Sequence, residues 1–173
     1  MPDVDFLATA EGVESFLGSV FNTTKAEYKK KGSVGLRAFI FANPRLRFVT
    51  YDLLVEDKTC AVQVPQTIAD RYDTPEYAEY VRESAKQMLA VGVLMLCESW
   101  MVCGKDLDSL KSVRPSERED RKTVLMVTLD HKAFPTQRAW MCGVEDGDDF
   151  EEIMAPIGGN LSKLIERPAM QIN

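Results

Sequence analysis

The sequence predicts an α+β fold in which an antiparallel or mixed sheet of five to six strands packs against helices. Three observations lead to this prediction. Hydrophobic periodicity changes from about 3.6 residues to about two and back along the chain. The strand-like segments come in two runs with short turns, and one helix separates the runs. The predicted order is α-β-β-(β)-α-β-β-β-α, and we expect residues 1–173 to form one globular domain.

An amphipathic helix begins the predicted fold. Apolar residues along Val13–Phe21 recur with helical spacing and therefore share one face. Thr24 and Glu27 have the spacing of a capping box, so we expect a short second helix after the first. Gly32 is the predicted end of that second helix, because glycine readily adopts the left-handed conformation that terminates helices.

The first run of strands is predicted from its β-branched and aromatic residues. Two strands are expected at Val34–Ala42 and Arg47–Val55, with a turn signal at Asn43-Pro44 between them. A third short strand is expected at Cys60–Val64. The hairpin turn leading into it would lie at Asp57-Lys58.

Start signals define the central helix. Thr74 suits its N-cap, Pro75 its first position and Glu76 the positive end of its dipole. Gly92 is the expected end of the helix. The apolar stripe of the helix consists of Tyr77, Val81, Ala85, Met88 and Leu89, and we expect Val81 and Leu89 to be nearly fully buried.

The second run of strands starts at Val93–Cys103, whose first half is almost entirely apolar, as in an interior strand covered on both faces. Two further strands are predicted at Thr123–Asp130 and Gln137–Val144. Short helical pieces are expected in the tail, at Phe150–Met154 and Leu161–Ile165.

Composition limits the class of function. The net charge is −6, and an acidic chain gains nothing from counterion release on DNA, so we expect no general nucleic-acid binding. The longest apolar run, Met88–Cys97, is too short to cross a bilayer, and the start of the chain lacks the features of a signal peptide. We therefore expect a cytoplasmic protein without membrane association. Its four cysteines, which form no CxxC pair, are expected to be reduced thiols.

One carboxylate in apolar company marks a candidate site. Alternation along the strand places Glu98 on one face with Leu94, Leu96, Trp100 and Val102. An uncompensated charge there would be unfavourable, so we expect Glu98 to contact Arg121 or Arg114. Such a carboxylate acts as a general acid or base, forms half of a structural ion pair, or emerges where the strand leaves the core, and these interpretations stay open.

The loop that follows this strand alternates positive and negative residues around a proline. Its guanidinium groups, on Arg114, Arg118 and Arg121, suit an anionic ligand. With Glu98 and Trp100 they form the ligand-binding or enzymatic site that the sequence offers as an alternative function. A solvated loop whose charges pair with one another is the competing interpretation.

Two short motifs carry a resemblance. Glu98-Ser-Trp-Met101, followed by Pro115-Ser-Glu-Arg-Glu-Asp-Arg121 and a strand, resembles a pattern in small, uncharacterised bacterial and phage proteins. In that family a Glu-Ala-Trp-Met-like strand precedes a Pro-Ser-Glu-x-x-Asp-Arg-like loop. The resemblance covers about Val81–Val127, with Ser99 in place of alanine and Glu119 in place of proline. It implies a shared fold and a shared surface, and it assigns no reaction.

Other chemistry has little support in the sequence. His131, the only histidine, stands beside Asp130 at a hairpin end, where we expect no catalytic role. Cysteine and histidine lack the short spacing of zinc ligands, so we expect no metal and no cofactor.

Charge is distributed unevenly along the chain. Residues 23–47 hold seven Lys or Arg and one Glu, whereas residues 145–152 hold six acids and no base. Opposite patches steer a partner or favour self-association, although two solvated faces would have the same composition. The sequence thus favours a protein-binding or regulatory module, in which the partner is another protein or a second copy in a homodimer.

Overall fold

The computed structural model describes residues 6–35, 37–41, 54–55, 61–63, 75–101, 117–144, 149–153 and 163–166. Within these residues, seven strands form one sheet in which every pair of neighbours is antiparallel. Five strands have three or more residues, and a two-residue strand lies at each edge. Helices pack on the sheet, so the predicted α+β fold is confirmed.

The elements follow one another in nearly the predicted order. The helices are a short 3-10 turn (Phe6–Ala8), α1 (Ala10–Lys31) and α2 (Pro75–Gln87). The strands are β1 (Arg37–Phe41), β2 (Leu54–Val55), β3 (Ala61–Gln63), β4 (Gly92–Met101), β5 (Lys122–His131), β6 (Arg138–Gly143) and β7 (Glu151–Glu152). None of the helices in the described part of the chain has the length and hydropathy needed to span a membrane.

α1 is one continuous helix of 22 residues. The Thr9 side chain caps its start by accepting a hydrogen bond from the Gly12 backbone N at 3.1 Å. Gly32, with φ at 73°, ends it as predicted. The prediction of a separate second helix is wrong, because Thr24 lies buried within α1 and the helix continues through it.

Strand order departs from simple sequence order. The sheet runs β2-β3-β1-β4-β5-β6-β7, so β1 pairs with β3 and β4 rather than with β2. β2 pairs with β3 as the predicted hairpin requires, with Val55 opposite Val62. The predicted turns at Asn43-Pro44 and Asp57-Lys58 lie outside the described residues.

α2 confirms most of the predicted apolar stripe. Three of its members are buried, namely Val81, Ala85 and Met88. The prediction for Leu89 is wrong: the helix ends at Gln87, Leu89 turns the chain with φ at 46°, and 56% of the residue is exposed. Gly92 starts β4 instead of ending the helix. The side chain of Tyr77, and Thr74 altogether, lie outside what the structure describes.

The predicted tail helices are also wrong within the described residues. Glu151 and Glu152 form β7, opposite Met141 and Trp140 of β6. Residues 163–166 have no helical turn. This last segment is held to the sheet where the Ile165 backbone N donates to an Asp130 side-chain oxygen at 3.1 Å.

Two hydrophobic cores lie on opposite faces of the sheet, and β4 contributes to both. Leu94 and Leu96 pack with α1, whereas Val93 and Met95 pack with α2. All four are at most 1% exposed, which confirms β4 as an interior strand covered on both faces.

Candidate functional site: a groove between α1 and the sheet

The second half of α1 and strands β5 and β6 enclose an open groove of about 610 Å³. Its floor is apolar and includes the buried side chains of Leu125 and Cys142. Lys25, Tyr28 and Lys29 of α1 form its rim. The volume lies within the range of about 300–1,000 Å³ that is usual for ligand sites.

This groove was not predicted from the sequence. Lys25, Tyr28 and Lys29 have i, i+3, i+4 spacing, which places them on one face of α1. That spacing was the available signal. The strands that complete the groove are about a hundred residues further along the chain, and only the fold brings them to α1.

Glu98 lies next to the groove. In the register it stands opposite Leu125, which in turn stands opposite Cys142, so the three occupy one row across the sheet. The half-buried Glu98 carboxylate accepts a hydrogen bond from the Val34 backbone N at 3.2 Å. Glu98 therefore fastens the chain that leaves α1 to the middle of the sheet.

The other predicted site residues gather at the same end of the sheet, to the extent that the structure describes them. Trp100 stands opposite Thr123 in the register, and Arg121 comes just before β5. Arg114 lies outside the described residues. Leu125 stands opposite Glu98 in the register, and Arg121 precedes Leu125 by four residues. In an extended strand this spacing corresponds to about 13 Å. A contact between Glu98 and Arg121 or Arg114 stays a prediction.

Arg118 binds a carboxylate of its own loop. Its Nε and Nη2 atoms donate to the two Asp120 oxygens at 2.8 and 2.9 Å, a bidentate pair. The hydrogen bond raises the pKa of Arg118 and lowers the pKa of Asp120. An anionic ligand would have to displace Asp120 from this guanidinium, so the pair favours the self-paired interpretation for Arg118.

The fold brings part of the basic and acidic stretches together. Lys25 of α1 forms an ion pair with Asp149, and that hydrogen bond lowers the pKa of the Asp149 carboxyl group. Beside it, the rings of Phe21 and Phe150 stack with their centroids 4.4 Å apart. A charged contact and an aromatic contact thus attach residues 149–150 to α1.

Arg138 fixes the neighbouring β7 strand. Its guanidinium makes a bidentate pair with Glu152 at 2.8 and 2.9 Å and lies 4.8 Å from the ring centroids of Phe134 and Trp140. The Glu152 hydrogen bond raises the pKa of Arg138. A weaker contact of 3.5 Å reaches Glu14 of α1. β7 is therefore held by the Glu152 side chain as well as by the backbone pairing of its two residues with β6.

Other basic residues of the 23–47 stretch pair locally. Glu27 contacts Arg37 at 2.5 Å and Lys31 at 2.9 Å. Burial alone would raise the pKa of Glu27, but the hydrogen bonds from Lys31 and Arg37 together outweigh burial and lower it. Lys29, on the groove rim, is exposed and has no ion-pair partner among the described residues.

His131 is built into the core. It is the last residue of β5, at the hairpin end as predicted, and it is fully buried. Its Nδ1 accepts a hydrogen bond from the Ala133 backbone N, and its Nε2 lies 3.0 Å from the Leu7 carbonyl oxygen. Since a carbonyl only accepts, Nε2 carries the proton and donates. Both ring nitrogens therefore have structural partners.

Cys97 and Cys142 are buried thiols that form no disulfide among the described residues. Burial, together with the neighbouring charge of Glu98, raises the pKa of Cys97 from 9.0 to about 11. A thiolate at this position would lack the solvation that stabilises it. The predicted reduced state of Cys60 and Cys103 concerns residues outside the described part of the chain.

The raised pKa of Cys97 predicts a loss of stability at high pH. The unfolded chain releases this proton near pH 9 and the folded chain near pH 11, so stability is complete below pH 9 and decreases above it. We expect wild type to lose about 2 kcal/mol more than Cys97→Ala between pH 7 and about pH 10.5. Denaturant titrations at both pH values measure this difference, and equal losses in the two proteins would contradict it.

Within the described ranges, no three His, Cys, Asp or Glu side chains are grouped so as to hold a metal ion. Comparisons with protein-family models, with curated proteins and with solved structures found no match to this chain. Function is therefore inferred from the groove itself.

Proposed function

We propose that this protein is a binding module that engages an acidic, amphipathic segment of a protein partner through the groove. The observation that carries the proposal is the combination of an apolar floor with a lysine rim. The floor suits apolar side chains of a partner, while the exposed Lys29 supplies a positive charge with no ion-pair partner among the described residues. Charge complementarity at such a rim mainly increases the association rate and the specificity.

The chain's own acidic segment supports this choice of partner. Asp149 pairs with Lys25 while Phe150 stacks on Phe21, so a carboxylate and an adjacent aromatic ring already bind side by side on α1. Tyr28 and Lys29 continue the same helix toward Gly32. A partner segment with alternating acidic and apolar residues would repeat these two contacts along the groove.

The small-molecule alternative has less support. Glu98 accepts from the Val34 backbone, and the Arg118 guanidinium holds Asp120. Two of the five predicted ligand-binding residues therefore already have partners within the chain. The groove needs neither group to bind a peptide, which favours the protein-partner interpretation.

Three finer features belong to the same proposal. The reduced, buried thiols of Cys97 and Cys142 support a reducing, cytoplasmic setting. The resemblance to bacterial and phage proteins favours a phage-encoded regulator of a host or phage protein. A second copy of the chain is the other occupant to consider for the groove, because its acidic segment has the required chemistry and a homodimer would result.

Site-specific cross-linking tests the groove. A photoreactive phenylalanine analogue placed at Tyr28, on the groove rim, should cross-link to an acidic segment of a partner in lysate. The same analogue at Tyr80, an exposed tyrosine on α2, is the matched control and should give no such product. Mass spectrometry of the linked peptide identifies the segment, and a product of two copies of this chain would identify a homodimer in place of a separate partner.

A charge reversal makes the test specific. Lys29→Glu should lower the yield at position 28 about tenfold, because it replaces attraction at the rim with repulsion. Lys86→Glu, on α2, should leave the yield unchanged. Equal yields from positions 28 and 80, or a yield that survives Lys29→Glu, would refute the groove as the binding surface.

A further inference from the structure

We infer that the cleft between α2 and residues 163–166 is a second binding site, and that it takes a small organic anion with a short apolar part. The cleft has a volume of about 420 Å³, within the range of about 300–1,000 Å³ usual for small-molecule sites. α2 packs on the face of the sheet opposite α1, so this site is separate from the groove.

The inner wall of the cleft is apolar. Ala85 contributes from α2, Ala90 from the turn that follows it, and Leu164 and Ile165 from the facing segment. Leu89 stands at the rim with more than half of its surface exposed. An apolar group entering the cleft would remove this leucine from water, which favours binding.

The charges around the cleft leave two lysines available. Arg82 already contacts Glu79 at 3.5 Å and the Lys163 carbonyl oxygen at 3.2 Å. Lys86 contacts Glu166 at 3.8 Å. The remaining charged residues at the rim are Glu83, Lys132 and Lys163. No carboxylate in the described ranges pairs with Lys132 or Lys163, so the charge still unpaired at the rim is positive overall.

Backbone conformation points to the same place. In the described part of the chain, two residues other than glycine have a left-handed conformation, Leu89 with φ at 46° and Lys163 with φ at 53°. Both line this cleft, one from each wall. Such conformations are unfavourable for residues with a side chain, and they cluster at ligand sites, where the surrounding structure maintains them.

The chemistry of the rim defines the ligand class. Ammonium groups are point charges on flexible stems and impose no planar geometry on the anion, so they bind either a carboxylate or a phosphate. The apolar wall adds a preference for a short hydrocarbon portion beside that anion. A monocarboxylate with a short chain, or a phosphate ester of similar size, satisfies both requirements.

Amide chemical shifts measured by NMR provide the test, with hexanoate, hexan-1-ol and inorganic phosphate as probes. Hexanoate should give saturable shifts at Leu89, Ala90, Lys132 and Lys163, and hexan-1-ol should bind at least about tenfold more weakly. Saturation by phosphate but not by hexanoate would identify a phosphate as the anionic group, and the reverse would identify a carboxylate.

Paired variants decide whether the two lysines form the site. Lys132→Gln combined with Lys163→Gln should weaken binding of the anion about tenfold or more. Lys30→Gln combined with Lys122→Gln removes the same charge outside both the cleft and the groove and should leave the affinity unchanged. The inference is overturned if neither anion saturates shifts at the cleft, or if both double variants bind as wild type does. Unchanged amide shifts away from the cleft show that each variant is folded.

Discussion

Replacing Gly92 with alanine should lower the free energy of unfolding by about 2–4 kcal/mol. A Cβ atom at position 92 would lie 2.2 Å from His131 Cδ2 and 2.8 Å from Cγ, closer than non-bonded atoms approach. The ring has no room to withdraw, because it is fully buried and both of its nitrogens hold backbone partners. Gly92 of β4 stands directly opposite His131 of β5. To relieve the contact, either β4 moves away from β5 or the His131 ring loses its hydrogen bonds.

Gly18 provides the matched control for this substitution. An added Cβ there meets no atom within 4 Å, and the residue lies within α1. Gly18→Ala should therefore stabilise the protein by about 0.5–1 kcal/mol, since alanine favours the helix. Denaturant unfolding measures both variants. A cost below about 0.5 kcal/mol for Gly92→Ala would show that the sheet absorbs the contact.

A second background separates the contact from other effects of the added methyl group. In a His131→Ala protein the ring is absent, so Gly92→Ala should cost less there than in wild type. The difference between the two costs is the coupling energy of positions 92 and 131, which we expect to be about 1–3 kcal/mol. Additive costs would mean that the ring is not what the new methyl group meets.

Elements with a strong local pattern were predictable from the sequence. β4, β5 and β6 begin and end within two residues of their predicted bounds, because continuous apolar runs and short turns define them locally. The burial of Val81, Leu94 and Leu96 followed from the same patterns. These residues make up the centre of the fold, where hydrophobic periodicity and tertiary packing favour the same secondary structure and the same buried positions.

The errors occurred where tertiary contacts override a local signal. Thr24 and Glu27 have capping-box spacing, yet Thr24 is buried in α1 and Glu27 pairs with Arg37 of β1, so the helix continues. The acidic segment around Glu152 was predicted to be helical, but docking on β6 and pairing with Arg138 make it a strand. Arg37 is not adjacent in sequence to Glu27, and neither β6 nor Arg138 is adjacent to Glu152. Local sequence patterns therefore contain no information about these contacts.

The candidate site was predictable to a smaller extent than the fold. Glu98 and Arg121 were singled out by their chemistry, and Glu98 stands opposite Leu125 of the groove floor. The groove itself arises where one face of α1 meets two strands from the other half of the chain. Strand order determines that meeting, and the sequence does not reveal that β1 is the neighbour of β4.

The same leucine-to-alanine substitution at two positions, Leu94 and Leu89, tests which of them lies in the core. Leu94 is fully buried between β1 and β5, in the core that β4 shares with α1. Leu94→Ala should lower the free energy of unfolding by about 2–5 kcal/mol, through lost burial and the cavity left behind. Leu89 was predicted to lie in the same kind of environment, yet 56% of it is exposed.

Leu89→Ala should accordingly change stability by no more than about 0.5 kcal/mol, because surface truncations away from special contacts have small effects. The two variants are matched, since each removes the same atoms from a leucine and the two positions are five residues apart. Chemical denaturation under one set of conditions gives both values. A loss below about 1 kcal/mol for Leu94→Ala would place it outside the core. A loss above about 2 kcal/mol for Leu89→Ala would show that this leucine is covered, as the sequence first predicted.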